Sequence, residues 1–316
     1  MIIWGINALN HDASIAVFKD SKLVFWNRSS SYTGVVGDQH ICSDLIKDAL
    51  HAGGGIGPSK IVWYERPWLK KLRQLRAGQW RWAFDLDELP SRYLKRIGLA
   101  YAKIEYVDHH LSHAAAGFLT SPFEEAAIVV LDAIGEFECA SVWKGQGTDI
   151  KKVWSQRYPN SLGLFYSAFT HLLGFVPTKE EHLLQKLSYE GDWSLYYDQV
   201  KAYVGKNLHR GVRDWHVPVD YTNRKHIAAA VQRVFEQEAQ KVIERAIPLS
   251  KNIVYMGGCA LNTRYTEKVA NQFVGTWSLP SPGDSSSSIG AVLWTEKTRI
   301  EWERPVAKHM EIKYNN

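Results

Sequence analysis

Apolar residues open the chain in short runs separated by polar turns, a pattern that predicts strands. Ile2 to Asn7 is the first run, Ala13 to Phe18 follows a polar turn, and Lys22 to Trp26 follows Lys19-Asp20-Ser21. A helical stretch from Asp38 to Ala52 ends in Gly53-Gly54-Gly55, a strong stop signal. Lys60 to Tyr64 and Ile104 to Val107 read as further strands, with a basic, aromatic region between them, and Asp108 to Leu119 reads as a helix. The opening pattern then returns. Ala126 to Leu131 is an apolar strand ending in Asp132, Glu138 to Trp143 a second, and Ile150 to Trp154 a third after Gly145-Gln146-Gly147.

Three hairpin-type strands followed by alternating helices and strands thus occur twice, about 125 residues apart. The repeat predicts an α/β chain of two copies, 1–125 and 126–316, in a duplicated actin-like or RNase-H-like two-lobed fold. The polar turns of both first hairpins are expected to point into a cleft. A single doubly wound parallel sheet is the competing arrangement, but hairpins are antiparallel, which favours duplication.

Composition narrows the class. Of 316 residues, 45% are hydrophobic and 22% charged, a globular balance far from that of disordered chains. No run approaches the ~20 apolar residues of a membrane helix. The N-terminus lacks a basic region and a cleavage site, so a cytoplasmic protein with no membrane partner is expected. Three widely spaced cysteines, Cys42, Cys139 and Cys259, form neither a disulfide framework nor a zinc ribbon. The net charge of +5 permits a phosphate-bearing or nucleic-acid partner without requiring one.

The sharpest chemical signal is Asp108-His109-His110-Leu111-Ser112-His113. On a helix, His109 and His113 stand at i and i+4 on one face, where two imidazoles can bind one metal ion. Asp132 closes an apolar strand, where a carboxylate is costly unless it meets a cleft or a cation. Asp284 precedes a helical run from Ser288 to Thr295; locally it reads as an N-cap, and its functional alternative is a second carboxylate ligand. Two His with one or two Asp suit Fe(II), Mn(II) or Zn(II). Gly257-Gly258 joins an apolar strand to a helix, a junction that can hold a phosphate on backbone amides. In Asn10-His11-Asp12, His11 is either a turn residue or a general acid/base. Trp63 to Arg96 interleaves nine Lys and Arg residues with tryptophans. It reads equally as a nucleic-acid groove or as a solvated helix whose tryptophans pack inward.

Six motifs in order resemble the N-terminal catalytic part of the O-carbamoyltransferases that decorate nodulation factors, cephalosporins and aminoglycosides. They are Gly5-Ile6-Asn7 with His11-Asp12-Ala13-Ser14; His109 to Ala114; Val130-Leu131-Asp132 with Gly135-Glu136; Ser161 to Ser167 with Thr170 and Gly174-Phe175; Gly257 to Asn262; and Pro282-Gly283-Asp284 with Ile289-Gly290-Ala291. The resemblance extends to the tRNA threonylcarbamoyl transferases, and it implies the ASKHA fold. It implies a metal, iron by analogy, held by His109, His113, Asp132 and Asp284, with His11 and Asp12 at the transfer site. Gly257, Gly258 and Asn262, with Lys186, would line an adenylate or phosphate pocket.

By that resemblance the donor is carbamoyl phosphate, used directly or through ATP and carbamoyladenylate, and the acceptor a hydroxyl group. A hydroxymethylated pyrimidine, in DNA or as a nucleotide, is one candidate acceptor; a sugar or natural product is another. A nucleotide- or metal-binding subunit that depends on a partner is the alternative outside catalysis, and a tRNA threonylcarbamoyl transferase is a third reading. The chain departs from the pattern in three places. It has no room for the C-terminal carbamoyladenylate-forming domain, so a separate protein supplying carbamoyladenylate is an expected partner. Leu183 stands where a lysine is usual, with Lys186 offset by three, and Ser286 replaces a common glycine.

Overall fold

The computed structural model describes residues 1–10 and 12–302. The chain begins with β1 (Ile2–Asn7), β2 (Ser14–Lys19), β3 (Lys22–Arg28), α1 (Ser30–Thr33), α2 (Ser43–Ala52) and β4 (Lys60–Trp63). It continues through α3 (Pro67–Arg76), α4 (Trp80–Phe84), α5 (Pro90–Arg96), β5 (Lys103–Tyr106) and α6 (His109–Phe118). Then come β6 (Glu125–Gly135), β7 (Glu138–Gln146), β8 (Asp149–Arg157), α7 (Leu162–Leu172), α8 (Glu181–Leu187) and α9 (Tyr197–Lys201). The last elements are α10 (Arg224–Ile243), β9 (Asn252–Met256), α11 (Thr263–Ala270), β10 (Gly275–Trp277) and α12 (Ser287–Thr295).

The described residues form two compact units, one of residues 1–122 with 284–302, the other of residues 123–283. Each holds a five-stranded mixed sheet. The orders are β3-β2-β1-β4-β5 in the first and β8-β7-β6-β9-β10 in the second. In both, three antiparallel strands lead and two parallel strands extend the opposite side of the first strand. This repeated topology is the duplicated actin-like α/β fold, and it excludes the single doubly wound sheet.

Position within the sheet explains the sequence pattern. β1 is paired on both sides and buried along its whole length, whereas the edge strand β3 alternates between covered and exposed positions. In the first unit, α12 returns to pack on β1 and α6, although it follows the second sheet in sequence and falls within the 126–316 copy expected from the repeat. Two glycines permit that close packing. A Cβ on Gly5 would lie 1.7 Å from the Ser288 carbonyl oxygen, and one on Gly290 would lie 1.9 Å from that of Ser112. The small side chains of Ala114, Ala115 and Ala116 complete the fit on α6.

In the second unit the core gathers Phe165 and Phe169 of α7, Val231, Val234 and Phe235 of α10, and Tyr255 and Tyr265 around β9 and α11. Among the described residues, no helix is long and apolar enough to cross a membrane.

Candidate functional site

The first unit builds its polar centre on α6. Asp108 starts this helix in extended conformation, its carboxylate accepting from the Leu111 amide at 3.2 Å and pairing with Arg66. That start sets His109 and His113 one turn apart, both with side chains at most 1% exposed. Their Nε2 atoms lie 3.2 Å from each other. Asp284, at the head of the turn before α12, brings Oδ1 to 3.2 Å from His113 Nε2 and 3.6 Å from His109 Nε2. Its other oxygen, Oδ2, accepts from Asn10 Nδ2 at 3.1 Å.

Asp284 therefore does not cap the helix. Ser286 occupies the cap position of α12, without a side-chain cap bond, and the carboxylate turns to the imidazoles instead. A buried carboxylate is costly unless charge or hydrogen bonds compensate. Donors bonded to one metal at ~2.0–2.1 Å in tetrahedral array sit roughly 3.3–3.4 Å apart. The three separations in the first unit match that spacing, and a carboxylate with two imidazoles is a donor set for a divalent transition metal. The chemistry of this cluster thus fits the implied metal.

Asp132 lies in the second unit, on β6, where its pairing with β7 is interrupted between Leu131 and Gly135. The interruption takes its backbone out of the regular ladder. Asp132 is buried, and its Oδ1 accepts from the Gly258 amide at 3.2 Å. The neighbouring Gly257 amide donates to the Pro282 carbonyl at 2.9 Å. Gly257 has φ +93°, and a Cβ there would meet the Leu131 carbonyl oxygen at 2.2 Å, so this position requires glycine. Both amides of the glycine pair already have partners inside the unit.

Asn262 is similarly engaged. It caps α11 by accepting from the Tyr265 amide at 3.1 Å, and exchanges two hydrogen bonds with Gln232, at 2.9 and 3.0 Å. Burial, and after it the negative charge of Asp132, pushes the Cys259 thiol well above its ordinary pKa, which makes it a poor nucleophile. Lys186 is exposed in the last turn of α8. Asp12 holds a left-handed backbone, φ +53°, and its carbonyl accepts from Asn7 Nδ2 at 2.9 Å. His11 lies outside the described residues.

Three features carry no mark in the local sequence. Asn10 reaches Asp284 across 274 positions of chain. Gln232 and Glu236 form a buried polar row on α10, with Glu236 joined to Arg264 and Lys268. A cavity of about 170 Å³ opens beside this row, lined by Tyr189, Trp193, Arg233, Arg264 and Lys268 among others. The i, i+4 spacing of Gln232 and Glu236 puts them on one face of α10, but half of that helix is polar, so the spacing does not single them out.

Residues 64–210 match the family model of the carbamoyltransferase N-terminus, a stretch that includes His109, His113 and Asp132. An uncharacterised protein of Synechocystis is 28% identical over 97% of this chain and 58% of its own length. The nodulation protein NolNO of Sinorhizobium fredii is 25% identical over 61% of this chain and 31% of its own. The chain thus spans between about a third and three-fifths of these relatives.

Among solved structures, the activator of the 2-hydroxyisocaproyl-CoA dehydratase from Clostridium difficile, with bound ADPNP, aligns with a TM-score of 0.50 at 14% identity. The alignment covers 94% of this chain and 96% of that one. T. kodakarensis HypF aligns with a TM-score of 0.51 at 13% identity, over 94% of this chain and 47% of HypF. At such identities the likeness is one of fold, the ASKHA fold. The chain carries a carbamoyltransferase N-terminal domain and is a distant relative of the NolO-type carbamoyltransferases.

Proposed function

We propose that this chain transfers a carbamoyl group to an acceptor hydroxyl, with a divalent metal held by His109, His113 and Asp284 and with Asp132 as the fourth ligand. The observation that carries the reading is the buried convergence of two imidazoles and one carboxylate at 3.2–3.6 Å, with both histidines inside the stretch that matches the carbamoyltransferase N-terminus. Asp132 enters on its place in the family motif. When bound, the metal supplies Lewis-acid polarisation of the carbamoyl carbonyl.

The chain's own residues do the rest. Asn10 holds Asp284 Oδ2, which turns Oδ1 toward both imidazoles. His11 takes the proton from the acceptor hydroxyl. The acceptor oxygen bonds to the carbamoyl carbon, and the bond from that carbon to the phosphate or adenylate oxygen breaks, its electron pair leaving with the phosphate. The second unit receives the leaving group. The resemblance points to the Gly257-Gly258 turn with Asn262 and Lys186, but both glycine amides are engaged by Pro282 and Asp132. The better candidate is therefore the cavity beside Gln232 and Glu236, where Arg233 provides a cation and Tyr189 and Trp193 provide rings for a nucleotide. Carbamoyl phosphate, or carbamoyladenylate made from it with ATP, is the donor.

The test loads the purified chain separately with Fe(II), Mn(II) and Zn(II) and measures metal per chain by mass spectrometry. Loaded protein is then mixed with carbamoyl phosphate and ATP, or with preformed carbamoyladenylate, and a panel of hydroxylated pyrimidines and sugars. One metal per chain, lost in His113→Ala, and an acceptor heavier by one carbamoyl group support the reading. Absence of bound metal overturns it. Metal binding without transfer from carbamoyladenylate to any acceptor in the panel would instead favour a binding subunit that works through a partner.

A further inference from the structure

The α3–α4 hairpin of the first unit is folded inside out. On α3, Arg73 and Gln74 are buried while Trp68 and Leu72 are exposed, at 59% and 54%. α4 buries only Ala83 and exposes Trp80, Trp82 and Phe84, at 62%, 47% and 68%. Backbone and lysine contacts hold the hairpin in this form. The Gln79 amide donates to the Gln74 carbonyl at 2.9 Å, and Lys71 Nζ donates to the carbonyls of Trp82 and Asp85 at 2.6 Å. The tryptophans are therefore not the inward-packing residues of an ordinary amphipathic helix.

Charge follows the same segment. Residues 66–96 contain nine Lys and Arg against three Asp and Glu, a net +6, while the whole chain carries +5. The entire basic excess lies here, and six of the nine cations are arginines. Arg76 and Arg81 are exposed beside the rings, with the Arg81 guanidinium 6.0 Å from the Trp82 ring centre.

We infer that this hairpin is a docking surface for single-stranded nucleic acid. Exposed rings offer faces on which bases stack whatever their identity, and the arginines take the phosphates. A second copy of the chain is disfavoured because the exposed charged side chains of α3 and α4, Arg76 and Arg81, are both cations and would face their own kind. An anionic bilayer is disfavoured because the exposed Arg81 stands between the exposed Trp80 and Trp82 rather than on a separate polar face, so inserting the rings would carry a guanidinium toward the apolar boundary. The contacts offered here, ring faces for bases and cations for phosphates, meet groups that DNA and RNA share. Binding is accordingly indifferent to the sugar. This inference is independent of the carbamoyl-transfer reading.

Fluorescence anisotropy of labelled (dT)15 and (rU)15, titrated with the full chain, tests it. Both strands should bind within threefold of each other. Affinity should fall roughly 20–50-fold between 50 and 200 mM salt, the fall set by three or four phosphate contacts. Trp80→Ala and Phe84→Ala should each weaken binding at least fivefold. Arg76→Gln with Arg81→Gln should reduce the salt slope by about 1.4. The altered side chains are exposed, so thermal unfolding should stay unchanged and serves as the folding control. Undetectable binding at 50 mM salt, or full affinity in the Trp80 and Phe84 variants, overturns the inference. So does binding to phosphatidylglycerol vesicles that (dT)15 does not displace and the same variants abolish.

Discussion

The two units share one strand order and differ in what they do with buried polar groups. The first aims three side chains, His109, His113 and Asp284, at one point and backs them with Asn10. The second pairs its buried side chains with one another: Asn262 exchanges bonds with Gln232, and Gln232 donates to Glu236. A duplicated scaffold thus provides equivalent frames, and the chemistry depends on whether the side chains at its loops converge or pair off. Convergence leaves donors for a metal, whereas pairing leaves a satisfied and rigid wall.

Substitutions that break either arrangement separate the two. The largest effect is expected for Gly290→Ala, whose Cβ would meet the Ser112 carbonyl oxygen at 1.9 Å and force α12 away from α6. A backbone collision of this kind should cost about 3 kcal/mol or more and lower metal affinity with it, since Asp284 and His113 sit on either side of the contact. Urea unfolding and metal titration should change together. Next comes His113→Ala, which removes a buried donor. Metal affinity should fall more than a hundredfold, beyond the 10–100-fold loss of an orienting partner, while the urea midpoint of the metal-free protein moves little.

Gln232→Ala strikes the second unit alone. It removes the acceptor of the Tyr166 hydroxyl, which donates to Gln232 Oε1 at 2.8 Å, and of Asn262 Nδ2, while Asn262 Oδ1 keeps the Tyr265 amide. The expected cost is about 2–3 kcal/mol in urea, with metal affinity held within twofold. A matched drop in metal affinity would mean that the two arrangements are coupled after all. Asn10→Ala reverses the pattern. Stability should stay within about 1 kcal/mol while metal affinity falls about tenfold, because Asp284 loses the bond that aims its Oδ1. Calorimetric titration with Zn(II) or Mn(II) reads this directly.

Much of the frame was legible in the chain because strands of hairpin type announce themselves by apolar runs and turns, and both copies do so. The i, i+4 spacing of His109 and His113 was legible for the same local reason. What escaped were contacts between distant segments. The return of α12 to the first sheet depends on Gly5 and Gly290 meeting Ser288 and Ser112, and no local pattern records which sheet a helix will cover. Asp284 before a helix reads locally as a cap, since an aspartate there suits that role, and the ligand role came to the fore only with the resemblance. The glycine pair looked like an open amide nest, yet its amides find Pro282 and Asp132. The segment of Trp68, Trp80 and Trp82 read equally as a nucleic-acid groove or as a helix packing them inward, because orientation is a property of the surrounding unit.

The smallest expected effect concerns pH. Burial, the leading cause, pushes Tyr93 of the first unit up to about 12, although the Ile41 amide donating to its oxygen at 2.7 Å works the other way. In the second unit, burial raises the Glu238 pKa, but hydrogen bonds and charge from Lys201 and Lys241 outweigh it and leave that pKa depressed. The signs are opposite. A phenol whose pKa is raised on folding contributes stability below its unfolded value near 10 and loses it as the pH climbs toward 12. A depressed carboxylate contributes above its unfolded value and loses that contribution as the pH falls. By pH 10.5 the Tyr93 term should have cost somewhat less than about 1 kcal/mol. Urea midpoints of the wild type and Tyr93→Phe between pH 8 and 10.5 isolate it. The variant should lack that part of the alkaline decline while keeping the acid decline that Glu238 contributes, and parallel curves across the alkaline range would remove Tyr93 as the cause.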